Sequence, residues 1–133
     1  MHTPISTAAA PAAVGPYSQG INLEGLIYTS GQLPINPETK EMPADPAEQA
    51  RQSLKNIQAI LSEAGSGLDK VIKVMIFLTD MGDFARVNEV YATFFSQPYP
   101  ARSCVAVAAL PFGAKVEIEA IAYTAEEGCC CCK

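Results

Sequence analysis

Val116-Glu117-Ile118-Glu119-Ala120-Ile121-Ala122-Tyr123 is the stretch on which the fold turns. Its alternation puts Val116, Ile118, Ala120 and Ala122 on one face, and Glu117, Glu119, Ile121 and Tyr123 on the other. That is the period of two of a β-strand. A strand with one wholly apolar face needs a layer laid on it, and the rest of the chain must supply that layer.

Working back from this strand, Pro111-Phe112-Gly113 makes a turn and Ser103 to Leu110 reads as the preceding strand. Val71 to Leu78, interrupted only by Lys73, is a third, buried strand. Asp80 or Asp83 caps a helix with Phe84, Val87, Tyr91 and Phe94 on one face, stopped by Pro98 and Pro100. An earlier helix opens on Asp45 as cap, Pro46 at its first position and Glu48 in capping-box spacing. Ala50, Leu54, Ile57 and Leu61 recur through it at helical spacing, and Gly65 or Gly67 ends it. Pro16 to Ile21, the turn residues Asn22 to Gly25, and Leu26 to Gly31 form a hairpin. Residues 32–44, with Pro34, Pro37 and Pro43, read as a surface loop, and the Ala/Pro-rich start with His2 as a loose terminus.

The order is ββαβαββ: an α+β fold, a single mixed sheet with two helices packed on one face. The sheet's other face keeps apolar residues and has no helix left to cover it, so association through that face is expected. Residues 1–125 form one domain, and residues 126–133 form a Cys-rich tail.

Composition narrows the function classes. Of 133 residues, 49% are apolar and only 17% charged, a low-charge surface that suits an oligomer. The net charge of −5, with nine basic residues scattered, argues against nucleic acid as a partner. No segment reads as a signal peptide or membrane span, so the expected setting is cytoplasmic, away from membranes. Cys104 stands alone while Cys129 to Cys132 run together, which is not the spread of a disulfide scaffold. Four adjacent thiols cannot easily converge on one ion, and no function is assigned to them.

Chemistry concentrates on few residues. Glu117 and Glu119 are either two solvated carboxylates, or one of them sits at a subunit boundary, paired with a cation or ordering a water. Arg102, opening the preceding strand, offers a planar fork for a carboxylate, or is an ordinary surface arginine. Tyr17 and Ser30 read first as structural. Gly31, ending its strand, allows a ligand close to the backbone. Cys104 has no histidine beside it to activate it, since the only one is His2, and is expected to be buried and structural. The same scarcity of histidine argues against a catalytic metal. No dinucleotide or Walker fingerprint is present.

These segments closely resemble the YjgF–RidA family of imine deaminases. The matching stretches are Ala12 to Gly20, Thr29 to Pro34, Gln49 to Leu54 with Asn56-Ile57, Asp83-Phe84 with Val87-Asn88, Pro100 to Val105, and Val116 to Ala122. The resemblance runs in register over about residues 5–123. It implies a chorismate mutase-like homotrimer with three sites in the clefts between subunits, no cofactor, and hydrolysis of 2-iminopropanoate and 2-iminobutanoate to 2-oxo acids and ammonia. It assigns the substrate carboxylate to Arg102 and the attacking water to Glu117. Tyr17 and Ser30 match hydroxyl-bearing site residues, and Gly31 and Cys104 match positions that contact the ligand through their backbones. Two other readings follow from roles attributed to relatives: a binding or chaperone-like module, and a ribonuclease. The presence of Arg102 speaks against the first, and the acidic charge and missing histidine pair against the second.

Overall fold

A computed structural model describes residues 1–124. It contains six strands in one sheet and two helices: β1 (His2–Ile5), β2 (Gly20–Leu23), β3 (Leu26–Thr29), α1 (Pro46–Glu63), β4 (Val71–Leu78), α2 (Phe84–Phe94), β5 (Ala101–Ala106) and β6 (Val116–Tyr123). The order across the sheet is β1-β2-β3-β6-β4-β5. Only β4 and β5 run parallel, joined by α2 as a crossover, so the sheet is mixed. The Cys129–Cys132 tail lies outside the described residues.

Local signals account for most boundaries. Asp45 caps α1, its carboxylate accepting from the Glu48 N–H at 3.2 Å, and Pro46 fills the first helical position. The capping box is only half realised, because the Glu48 carboxylate pairs with Arg51 instead of turning back to Asp45. Gly65, at φ +82°, follows the last turn. In the β2–β3 hairpin Glu24 and Gly25 both take positive φ, 50° and 93°, the twist a two-residue turn needs. Asp80 caps a short 3₁₀ turn, Met81–Asp83, from which α2 continues without a side-chain cap of its own.

Two expectations need correction. The N-terminus is not loose: His2–Ile5 pairs antiparallel with β2 as an edge strand. Polar and small residues hid it, since an edge strand needs little apolar surface. The fifth strand ends at Ala106, not Leu110, because past the end of β4 it has no partner to bond.

β6 lies inside the sheet, between β3 and β4. Val116, Ile118, Ala120 and Ala122 are buried beneath the helices with Leu54, Ile57, Ile60, Leu61 and Val87. The opposite face carries Tyr28, Phe77, Ile121 and Tyr123 beside Glu117 and Glu119, partly or fully exposed in the single chain.

Candidate functional site

The pairing of β3 with β6 breaks after Tyr28 and resumes at Gln32, which bridges Ile118 in both directions at 2.7 and 3.3 Å. Gly31 therefore sits against the side chain of Glu117. A methyl group on Gly31 would lie 2.8 Å from the Glu117 carboxyl carbon, closer than atoms allow. The glycine is what gives the carboxylate its place.

Around it opens a cleft of about 820 Å³. Val14 and Tyr17 of the N-terminal loop form one wall, Ser30 to Leu33 with Ile35 and Met42 another, and Phe112 the rim, with Glu117 within. Ser30 donates to the Ser18 carbonyl at 2.5 Å, and the Tyr17 hydroxyl accepts from the Val14 N–H at 3.5 Å. Burial pushes the Glu117 carboxyl above the usual glutamate value, and the neighbouring Glu119 charge pushes the same way. No donor or cation among the described residues bonds to Glu117 and offsets this.

Buried amides hold the walls. Gln19, 4% exposed, accepts from the Thr7 N–H and donates to the carbonyls of Thr7, Ala10 and Pro11, folding the N-terminal loop onto the cleft. Asn56 on α1, 1% exposed, donates to the carbonyls of Leu33 and Ile35 at 3.0 Å each. Asn56→Ala is expected to strand the Ile35 carbonyl, while that of Leu33 keeps the Ile35 N–H, and to cost about 1–3 kcal/mol of stability, readable as a lower urea midpoint with an unchanged slope.

Arg102 and Cys104 lie elsewhere in the protomer. They pair with Val74 and Ile76 of β4, both fully buried on the helix-covered side, so their side chains share that face. Glu117 pairs with Phe77 and faces the other way. One chain thus gathers Tyr17, Ser30, Gly31 and Glu117, and leaves Arg102 and Cys104 across the sheet at its β5 edge. The Cys104 thiol is half-buried and packs against the core; burial raises its pKa while the Arg102 charge works weakly in the opposite direction. No group of three or more His, Cys, Asp or Glu among the described residues is placed to hold a metal.

Sequence reasoning missed Gln19 and Asn56 as wall supports and Phe112 as the rim. The first two stand inside the stretches quoted above, but nothing in their spacing shows which carbonyls they meet. Phe112 carried a signal: an aromatic between Pro111 and Gly113 in a turn, here 71% exposed at φ +60°.

Gly31→Ala tests the carboxylate's placement. The new methyl meets only the end of a flexible side chain, so the fold should survive, with the melting temperature within a few degrees of wild type. Glu117 has to move, and any turnover that depends on it should fall by about tenfold or more.

The sequence profile of the family described as endoribonuclease L-PSP matches residues 7–124. The 2-iminobutanoate/2-iminopropanoate deaminase of Escherichia coli K12 is 53% identical over 125 residues, covering 92% of this chain and 98% of its own. The RutC family protein y4sK of Sinorhizobium fredii is 59% identical over 122 residues, covering 91% of this chain and 97% of its own. Among solved structures, E. coli TdcF with bound serine superposes with a TM-score of 0.88 at 50% identity, covering 92% of this chain and 99% of that one.

Proposed function

The chain belongs to the YjgF–RidA family, and on that premise we propose that it hydrolyses 2-imino acids, 2-iminopropanoate and 2-iminobutanoate among them, to 2-oxo acids and ammonia. The observation that carries this reading is the half-buried Glu117 carboxylate held against Gly31 with no bonding partner among the described residues. A carboxylate so placed, with its proton affinity raised by burial, can serve as general base and then general acid.

Water held by Glu117 adds to the imine carbon, and Glu117 takes the proton that water loses. The C=N bond becomes a carbinolamine. Glu117 gives that proton to the nitrogen, which completes the neutral carbinolamine. It then takes the proton of the new hydroxyl as the C=O bond forms and delivers it to the nitrogen, so that the C–N bond breaks and ammonia leaves. The substrate's own carboxylate makes the imine electrophilic, so the step needs no cofactor. Arg102 grips that carboxylate through its fork and fixes the imine carbon above the water.

Since Arg102 and Glu117 of one chain face opposite sides of the sheet, the site is completed by a neighbouring copy that brings its β5 edge to the cleft. A homotrimer packed through the open sheet face does this, covers Tyr28, Phe77, Ile121 and Tyr123, and lines each cleft from two chains. The backbones of Gly31 and Cys104 then flank the substrate from opposite subunits, with Tyr17 and Ser30 on the Glu117 side. The bound serine in the relative fits a site for small amino-acid-like carboxylates. No helix among the described residues is long and apolar enough to cross a membrane. We place the reaction in the cytoplasm, beside the pyridoxal-phosphate dehydratases that release its substrate.

The test is a coupled assay in which a threonine dehydratase generates 2-iminobutanoate and 2-oxobutanoate formation is followed with and without this protein. Acceleration is the expected result, with a sedimentation mass three times that of the chain. The family's printed description raises a second activity, RNA cleavage. Of the cleft's lining only Lys40 is cationic, a poor match to a phosphate backbone. RNA cleavage by extensively purified protein, without imine hydrolysis, would replace the deaminase reading.

A further inference from the structure

The guanidinium of Arg102 is held by one face of α2. Its Nη1 donates to Asn88 Oδ1 at 2.7 Å, and its central carbon lies 4.6 Å from the centre of the Tyr91 ring and 5.6 Å from that of Phe84. Phe84, Asn88 and Tyr91 stand four and three residues apart, so a single helical stripe supplies all three contacts. The Tyr91 ring is itself fixed, 95% buried by its 5% exposure and stacked on Phe95 at 4.6 Å.

What distinguishes this arginine is the charge of its partners. Arg51 pairs with Glu48 and Arg86 with Asp45, whereas Arg102 meets a neutral amide and two aromatic faces. A carboxylate partner would orient the fork and also cancel its charge. An amide oxygen and two ring faces orient it and leave the charge available, with one of its five N–H donors in use. That is the arrangement wanted of an anion receptor before its anion arrives.

Resting on the function proposed above, we infer that Asn88 and Tyr91 are positioning residues, which hold the Arg102 fork flat and un-neutralised to receive the substrate carboxylate. Tyr91 acts through its ring: its hydroxyl is buried with no hydrogen-bond partner among the described residues. Removing that hydroxyl therefore breaks no bond, and the ring's face stays under the guanidinium.

The experiment measures 2-oxobutanoate binding by calorimetry, and kcat and KM in the coupled assay, for Asn88→Ala, Tyr91→Leu, Tyr91→Phe and Arg102→Ala. Asn88→Ala and Tyr91→Leu are each expected to weaken binding and raise KM about tenfold, with kcat within about twofold. Tyr91→Phe should match wild type. Asn88→Ala added to Arg102→Ala should change binding no further, since it acts only through the missing guanidinium. Should Tyr91→Leu fail to fold, Asn88→Ala at its half-exposed position carries the test alone. Wild-type affinity in folded Asn88→Ala, with Arg102→Ala impaired, overturns the inference and spares the assigned function. Wild-type affinity in Arg102→Ala overturns that function.

Discussion

Arg102→Ala is expected to lower kcat/KM for 2-iminobutanoate by about a hundredfold to a thousandfold, the cost of stranding one partner of a desolvated charge pair. The loss should appear in both parameters. Without the fork the substrate binds weakly, and what does bind leaves its C=N carbon unregistered against the water. Stability should change little, because Arg102 makes no ion pair among the described residues and sits at the sheet's edge. A drop in activity accompanied by a collapsed melting transition would point to structure instead of binding. Full activity in a well-folded variant would refute the mechanism.

Glu117→Gln should abolish proton transfer while leaving the carboxamide in the same place, with a loss of about a hundredfold or more in kcat. Its effect on stability has the opposite sign. The Glu117 pKa is raised in the folded chain, by burial first and by Glu119 second, so the folded state holds the proton more tightly than the unfolded one. The ionised group therefore destabilises the fold at any pH above its raised value. This penalty fades as pH falls through that value and is gone below the ordinary 4.5. Glu117→Gln should accordingly melt higher than wild type at neutral pH and lose that advantage in acid. The wild-type pH profile should carry an acid limb above 4.5, and Glu119→Gln should move it down by removing the like charge. An inactive variant that also melts lower at neutral pH would contradict this account of the site.

On the proposed mechanism, function and stability pull against each other at one position. Gly31 makes room for the carboxylate, no donor among the described residues satisfies it, and the resulting cost is borne by the core beneath β6. The Asn56 and Gln19 bond sets belong to the same economy, since walls built from irregular backbone need their carbonyls satisfied by buried amides.

The sequence by itself determined every element whose cause is local. The alternation of 116–123 sorted the two faces of β6, Asp45-Pro46 opened α1, and the Asn22–Gly25 turn closed the hairpin. These follow from energies between residues a few positions apart, and they made Glu117 conspicuous. Tertiary structure alone decided who meets whom. The break in β3 pairing sets Gly31 on Glu117, 86 positions later, and the β4–β5 register turns Arg102 to the face opposite Glu117. Strand register depends on how whole faces bury, and one residue of slip would exchange those faces. So the candidate residues could be named from the chain, while the gathering of Tyr17, Ser30, Gly31 and Glu117 in one cleft, with Arg102 and Cys104 on the opposite face, came only with the sheet.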